Sequence, residues 1–143
     1  MILKLALGSL LVATTVLVHT FGLITLARWT PRAAAWLQLH RHNVGRAMTM
    51  VGTVLSIFVI HTIEVWLWAA TFAGVEAVHG FENALYLSTI MFSTVGGQVA
   101  VAPEWRLLAS LESVDGFILI GWSTAYLVGA STRHGPFRQG EHF

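Results

Sequence analysis

The chain has 143 residues, is 55% hydrophobic and only 10% charged, and has a mean hydropathy of +0.69. A soluble domain carries about 25% charged residues, so this composition excludes an ordinary soluble fold and predicts an integral, all-α membrane protein. The net charge is +1 and the basic residues sit between apolar segments, which leaves no footprint for nucleic acid; with no cysteine there is neither a disulfide framework nor a thiolate metal site.

Residues 1–27 are apolar apart from Lys4, His19 and scattered hydroxyls. About 25 helical residues at about 1.5 Å each cover a hydrocarbon core of roughly 30 Å, so this run is a first spanning helix. A cleaved signal peptide is the competing reading, because Lys4 gives a basic start and Ala33-Ala34-Ala35 offers small residues. The run is much longer than the usual apolar region of about 7 to 15 residues, which favours a retained helix.

Residues 28–47 change character: Arg28, Arg32, Arg41 and Arg46, with His40 and His42, and no acid. By the positive-inside rule this segment is cytoplasmic and the N-terminus lies outside. Thr30-Pro31 reads as the N-cap and first residue of a short interfacial helix that seats Trp29, Trp36, Leu37 and Leu39. A gating cuff is the functional reading of it and a topology anchor the preferred one. His40 and His42, two apart, fall on different helix faces and make no metal pair.

Residues 48–73 form a second spanning helix, the first element of a unit that covers 48–131. His61 and Glu64, three apart, share a face, and an ionisable group inside a span faces protein or water. Glu64 is expected to be hydrogen-bonded as a buttress behind a re-entering loop; the sharper alternative is a proton or ion site.

After a turn at 74–80, residues 81–93 are too few to cross a bilayer. They predict a helix entering partway, with Glu82 at its positive end and its carbonyl end aimed at the midplane, where a cation is favoured. Residues 94–98, Thr94-Val95-Gly96-Gly97-Gln98, then read as a re-entrant loop presenting carbonyl oxygens. Irregular backbone survives at that depth only when buried in protein or lining water. Pro103 opens a third spanning helix, 103–131, with Glu112 and Asp115 three apart and forming an acidic face next to the loop, placed to attract cations, to support the loop as Glu64 does, or to pair with Arg106 or His61. Further along, Gly121 offers a weak point, and Ser123 and Thr124 offer hydroxyls to a cavity or to preceding carbonyls. The tail, 132–143, carries Arg133, His134 and Arg138 and is again cytoplasmic by charge.

From His61 to Tyr126 the chain resembles the bacterial two-transmembrane, pore-loop potassium channel family. The residues that carry the resemblance are HTIEVWLWA, FENALYLSTIMFSTVG, PEWRLLASLE and GWSTAYL, in that order. The resemblance implies a homotetramer around a four-fold pore in a bacterial inner membrane. It also implies monovalent cations, potassium or sodium, dehydrated at Thr94, Val95 and Gly96, and no other cofactor. The first helix is an addition to that pattern. The family's filters read T-V/L-G-Y-G-D, whereas this chain reads Thr94-Val95-Gly96-Gly97-Gln98 and is one residue short before Trp105. The bracing tyrosine is absent on either alignment. Losing a carbonyl ring or its packing weakens potassium discrimination before it abolishes cation preference.

The expected function is therefore passive cation transport through a channel with altered selectivity. The alternatives are a non-conducting, channel-like assembly subunit, or a proton- or metal-linked carrier using Glu64, Glu112, Asp115 and His61. An enzyme is disfavoured, because no nucleophile and base stand together in a motif.

Overall fold

The computed structural model describes residues 1–38, 43–97 and 99–134, and of His134 the backbone alone. The expectations for Leu39, His40, Arg41, His42, Gln98, the His134 side chain and the tail with Arg138 lie outside the described residues.

Among the described residues the chain is helical, without strands, and three helices are long and apolar enough to cross a membrane. Helix α1 covers Ile2–Trp36, α2 covers Asn43–Gly74, the short α3 covers Phe81–Phe92, and α4 covers Arg106–His134. Pro103–Trp105 is a single 3-10 turn ahead of α4, so Pro103 opens that turn and the α-helix starts at Arg106.

Two expected boundaries move. Thr30-Pro31 does not start a separate surface helix: α1 runs unbroken from Ile2 through Pro31 to Trp36. A proline removes one intrahelical bond, at a cost of about 3 kcal/mol, but the Arg32-Ala33-Ala34-Ala35 run after it consists of strong helix formers that carry the helix on. Likewise α2 begins at Asn43, five residues before the predicted 48, because nothing from Asn43 to Ala47 breaks a helix except Gly45.

The helices assemble with α1 and α4 parallel and α2 antiparallel to both. Gly8 faces Leu108 and Leu111, Thr15 faces Asp115, and His19 faces Ser123, in matching order, while Gly22 faces Ile60. The small residues at 8 and 22 let backbones approach: a Cβ on Gly22 would lie 2.7 Å from Ile60 Cδ1. At the end carrying Lys4, the Lys4 ammonium donates to the Glu104 carbonyl at 2.6 Å and lies over the Trp105 ring. The Ala102 amide donates to the Ala77 carbonyl at the same end. Arg28, Arg32, Arg46 and Arg133 mark the opposite end.

The core gathers where α3 meets α2 and α4, around Trp68, Phe72, Leu87, Leu108 and Leu119, all of them buried. Gly116 is the closest approach, since a Cβ there would strike the Phe92 backbone, 2.8 Å from both its C and its Cα. The short helix therefore ends directly on α4. Lipid tails are as apolar as leucine, so helix association in a bilayer depends on such packing and on interhelical hydrogen bonds.

Candidate functional site

Helix α3 has 12 residues, about 18 Å at the usual rise, and leaves its core at Phe92. The chain then turns through two left-handed residues, Thr94 at φ 59° and Gly96 at φ 69°. Their amides fold back on the helix end, Thr94 N–H to the Met91 carbonyl at 3.0 Å and Gly96 N–H to the Ile90 carbonyl at 3.1 Å. Glycine accepts such a φ at no steric cost, whereas a β-branched threonine holds it only under strain. Among the described residues no amide donates to the carbonyls of Thr94, Val95, Gly96 or Gly97. Val95 is an apolar side chain left 79% exposed.

Gly97, unlike Gly96, is not left-handed. It is small because α3 occupies the neighbouring space: a Cβ would lie 2.7 Å from Ile90 Cδ1 and 3.8 Å from the Tyr86 hydroxyl. Packing that a larger loop residue would provide comes here from the short helix.

Beneath this loop lie three buried polar clusters that between them join all four helices. The Glu64 carboxylate stands between two imidazoles, with His19 Nδ1 2.9 Å from Oε1 and His61 Nδ1 2.8 Å from Oε2. The other nitrogens of both rings face one hydroxyl, Ser123 Oγ, at 3.4 Å from His19 and 3.1 Å from His61. The rings are held by their neighbours: His19 lies 5.4 Å from His61 and 5.3 Å from Trp122, and His61 packs edge-on to Phe92, the last residue of α3. Glu64 thus reaches the loop through His61 and Phe92, not directly.

Asp115 occupies the neighbouring turn. Its Oδ2 lies 2.7 Å from Thr15 Oγ1, one turn before His19 on α1, and accepts from Trp68 Nε1 at 3.1 Å, one turn after Glu64 on α2. Glu112 is buried against α3, where Ser88 Oγ contacts Glu112 Oε1 and also lies 2.8 Å from the Val65 carbonyl. Ser88 has one proton for these two acceptors, so one link requires the carboxyl to donate. Glu112 Oε2 is buried with no partner.

His61 and Glu64 therefore come together as their spacing implies. Glu112 and Asp115 do not form one acidic face beside the loop: Glu112 serves α3, Asp115 serves α1 and α2, and neither is bonded to Arg106 or His61. Ser123 turns inward to the histidines, while Thr124 donates back to the Ile120 carbonyl at 2.9 Å. Gly121 is exposed, and α4 passes through it unbroken. The partners missed by sequence reasoning are His19, Thr15, Trp68 and Ser88. For two of them a signal exists: Gly8, Thr15 and Gly22 recur at sevens along α1, a stripe of small residues that marks an inward face, with His19 one turn from Thr15. No family model, curated protein or solved structure matches the chain.

Proposed function

We propose that this protein is a membrane cation channel assembled from four copies around the Thr94–Gly97 loop, conducting potassium or sodium passively. The observation that carries the reading is the loop itself. A half-length helix, pinned on α4 at Gly116, delivers four consecutive residues whose carbonyls no amide among the described residues takes up. Rings of such carbonyls replace an ion's hydration shell, and a single copy cannot enclose an ion, so the reading requires a closed cyclic assembly. The exposed Val95 and Thr94 suit burial by neighbouring copies.

The cluster of Arg28, Arg32, Arg46 and Arg133 at one end supports an orientation in a bacterial inner membrane with that end cytoplasmic and the N-terminus outside. The loop is then entered from outside. Missing the bracing tyrosine, it has Ile90 and Tyr86 against Gly97 instead, which supports cation preference with reduced discrimination between potassium and sodium.

The test is flux from proteoliposomes holding the purified chain, with potassium and sodium gradients compared, beside the particle mass in detergent. Cation flux from a four-copy particle supports the reading. A monomeric particle, or liposomes as tight as empty ones to both ions, overturns it.

A further inference from the structure

We propose that His19, His61 and Glu64 form a binding site for a divalent transition-metal ion of the zinc type, built between α1 and α2 and backed by Ser123 of α4. The three side chains offer ligand atoms within 4.8 Å of one another, two imidazole nitrogens and a carboxylate oxygen, a donor set suited to such ions. His19 and Glu64 are fully buried and His61 is 17% exposed, and ring packing against Trp122 and Phe92 fixes both imidazoles.

Hydrogen-bond accounting accommodates an ion without an added proton. Four contacts form a closed ring: Glu64 to each histidine, and Ser123 to each histidine. A carboxylate, two neutral imidazoles and one hydroxyl supply three protons for those four contacts, so a metal-free cluster closes the ring only with a fourth proton. An ion held by the two Nδ1 atoms and Glu64 removes that need. Each ring proton moves from Nδ1 to Nε2, no proton is lost, and both Nε2–H groups donate to the two lone pairs of Ser123 Oγ. A ligating histidine ordinarily makes such a bond through its second nitrogen. Tetrahedral coordination at about 2.0 to 2.2 Å separates ligand atoms by roughly 3.4 Å, so the present 2.8 and 2.9 Å nitrogen–oxygen distances need to open by only about 0.5 Å.

Glu64 supplies negative charge to a dication, and the Asp115 carboxyl is held nearby by Thr15 and Trp68, one turn from His19 and Glu64 on their helices. His61 also lines a cleft of about 430 Å³ beside α2 and α3, in which Thr62, Thr89 and Ser93 stand among apolar residues such as Phe58, Trp66 and Phe92.

The experiment is a Co²⁺ titration of the purified full chain, carrying no histidine tag, in detergent, followed by visible ligand-field absorption. The expected result is one ion per chain in a four-coordinate spectrum that Zn²⁺ abolishes. His61→Gln and His19→Gln should bind at least tenfold more weakly, Ser123→Ala about 10- to 100-fold more weakly with the spectrum retained, and His79→Gln, altered at an exposed histidine, as the parent. A parent protein without the spectrum, or an unchanged spectrum in His61→Gln, overturns the proposal. Should those variants fail to fold, zinc-edge X-ray absorption of the parent decides: two imidazoles with oxygen support the site, and a shell without imidazole refutes it. Binding is read without flux, so it stands or falls separately from conduction.

Discussion

Gly116 and Gly121 lie on the same helix, and alanine at each should move stability in opposite directions. Replacing a helical glycine with alanine removes backbone freedom from the unfolded chain and stabilises by roughly 0.5–1 kcal/mol where the Cβ has room. At Gly121 a Cβ meets nothing within 4 Å, so Gly121→Ala should gain that amount. At Gly116 the Cβ would lie 2.8 Å from Phe92 C and Cα and closer still to its carbonyl oxygen. Ordinary contact begins at about 3.4 Å, so the end of α3 must retreat from α4 by about 0.6 Å or more, and the obstacle is backbone that no rotamer change can clear. Overpacking of this kind costs about 1–3 kcal/mol, which outweighs the propensity gain. Gly116→Ala should therefore be less stable than the parent by about 1–2 kcal/mol, a five- to thirtyfold loss in folding equilibrium. The assay is denaturant-titrated unfolding in mixed micelles followed by circular dichroism. Because the displaced segment carries Thr94–Gly97, cation flux should fall as well. A Gly116→Ala protein as stable as Gly121→Ala would refute the close approach and the placement of the loop that depends on it.

Three further outcomes are expected. Ser88→Ala should destabilise by about 1 kcal/mol, within the range measured for hydrogen bonds between membrane helices, because it leaves both oxygens of Glu112 without partners; adding Glu112→Met should cost much less than the two changes summed, read by a double-mutant cycle. Gly97→Ala should disturb the loop through Ile90 Cδ1, and Ile90→Val, which removes that atom, should restore flux in the double variant; equal flux in all three proteins would contradict the packing. Thr94→Gly should relieve a left-handed φ of 59°, raising stability by about 1 kcal/mol while lowering selectivity among cations; an unchanged melting temperature would show that the threonine is unstrained.

Hydropathy and length were enough to read three spanning helices, a fourth too short to span, and a turn between α2 and α3, because each depends on residues close together in the chain. His61 with Glu64 was legible for the same reason, being one turn of one helix. The rotation of each helix about its axis was not, and it decides which polar group meets which. Thr15 finds Asp115 across 100 positions and His19 finds Glu64 across 45, contacts that exist only once Gly8 and Gly22 let α1 settle between α2 and α4. In a bilayer those few hydrogen bonds and close contacts fix the arrangement, since apolar burial alone does not distinguish one helix face from another. Local sequence thus set the helices and the loop after α3, and only tertiary packing made α1 part of the bundle and gathered the polar groups into buried clusters.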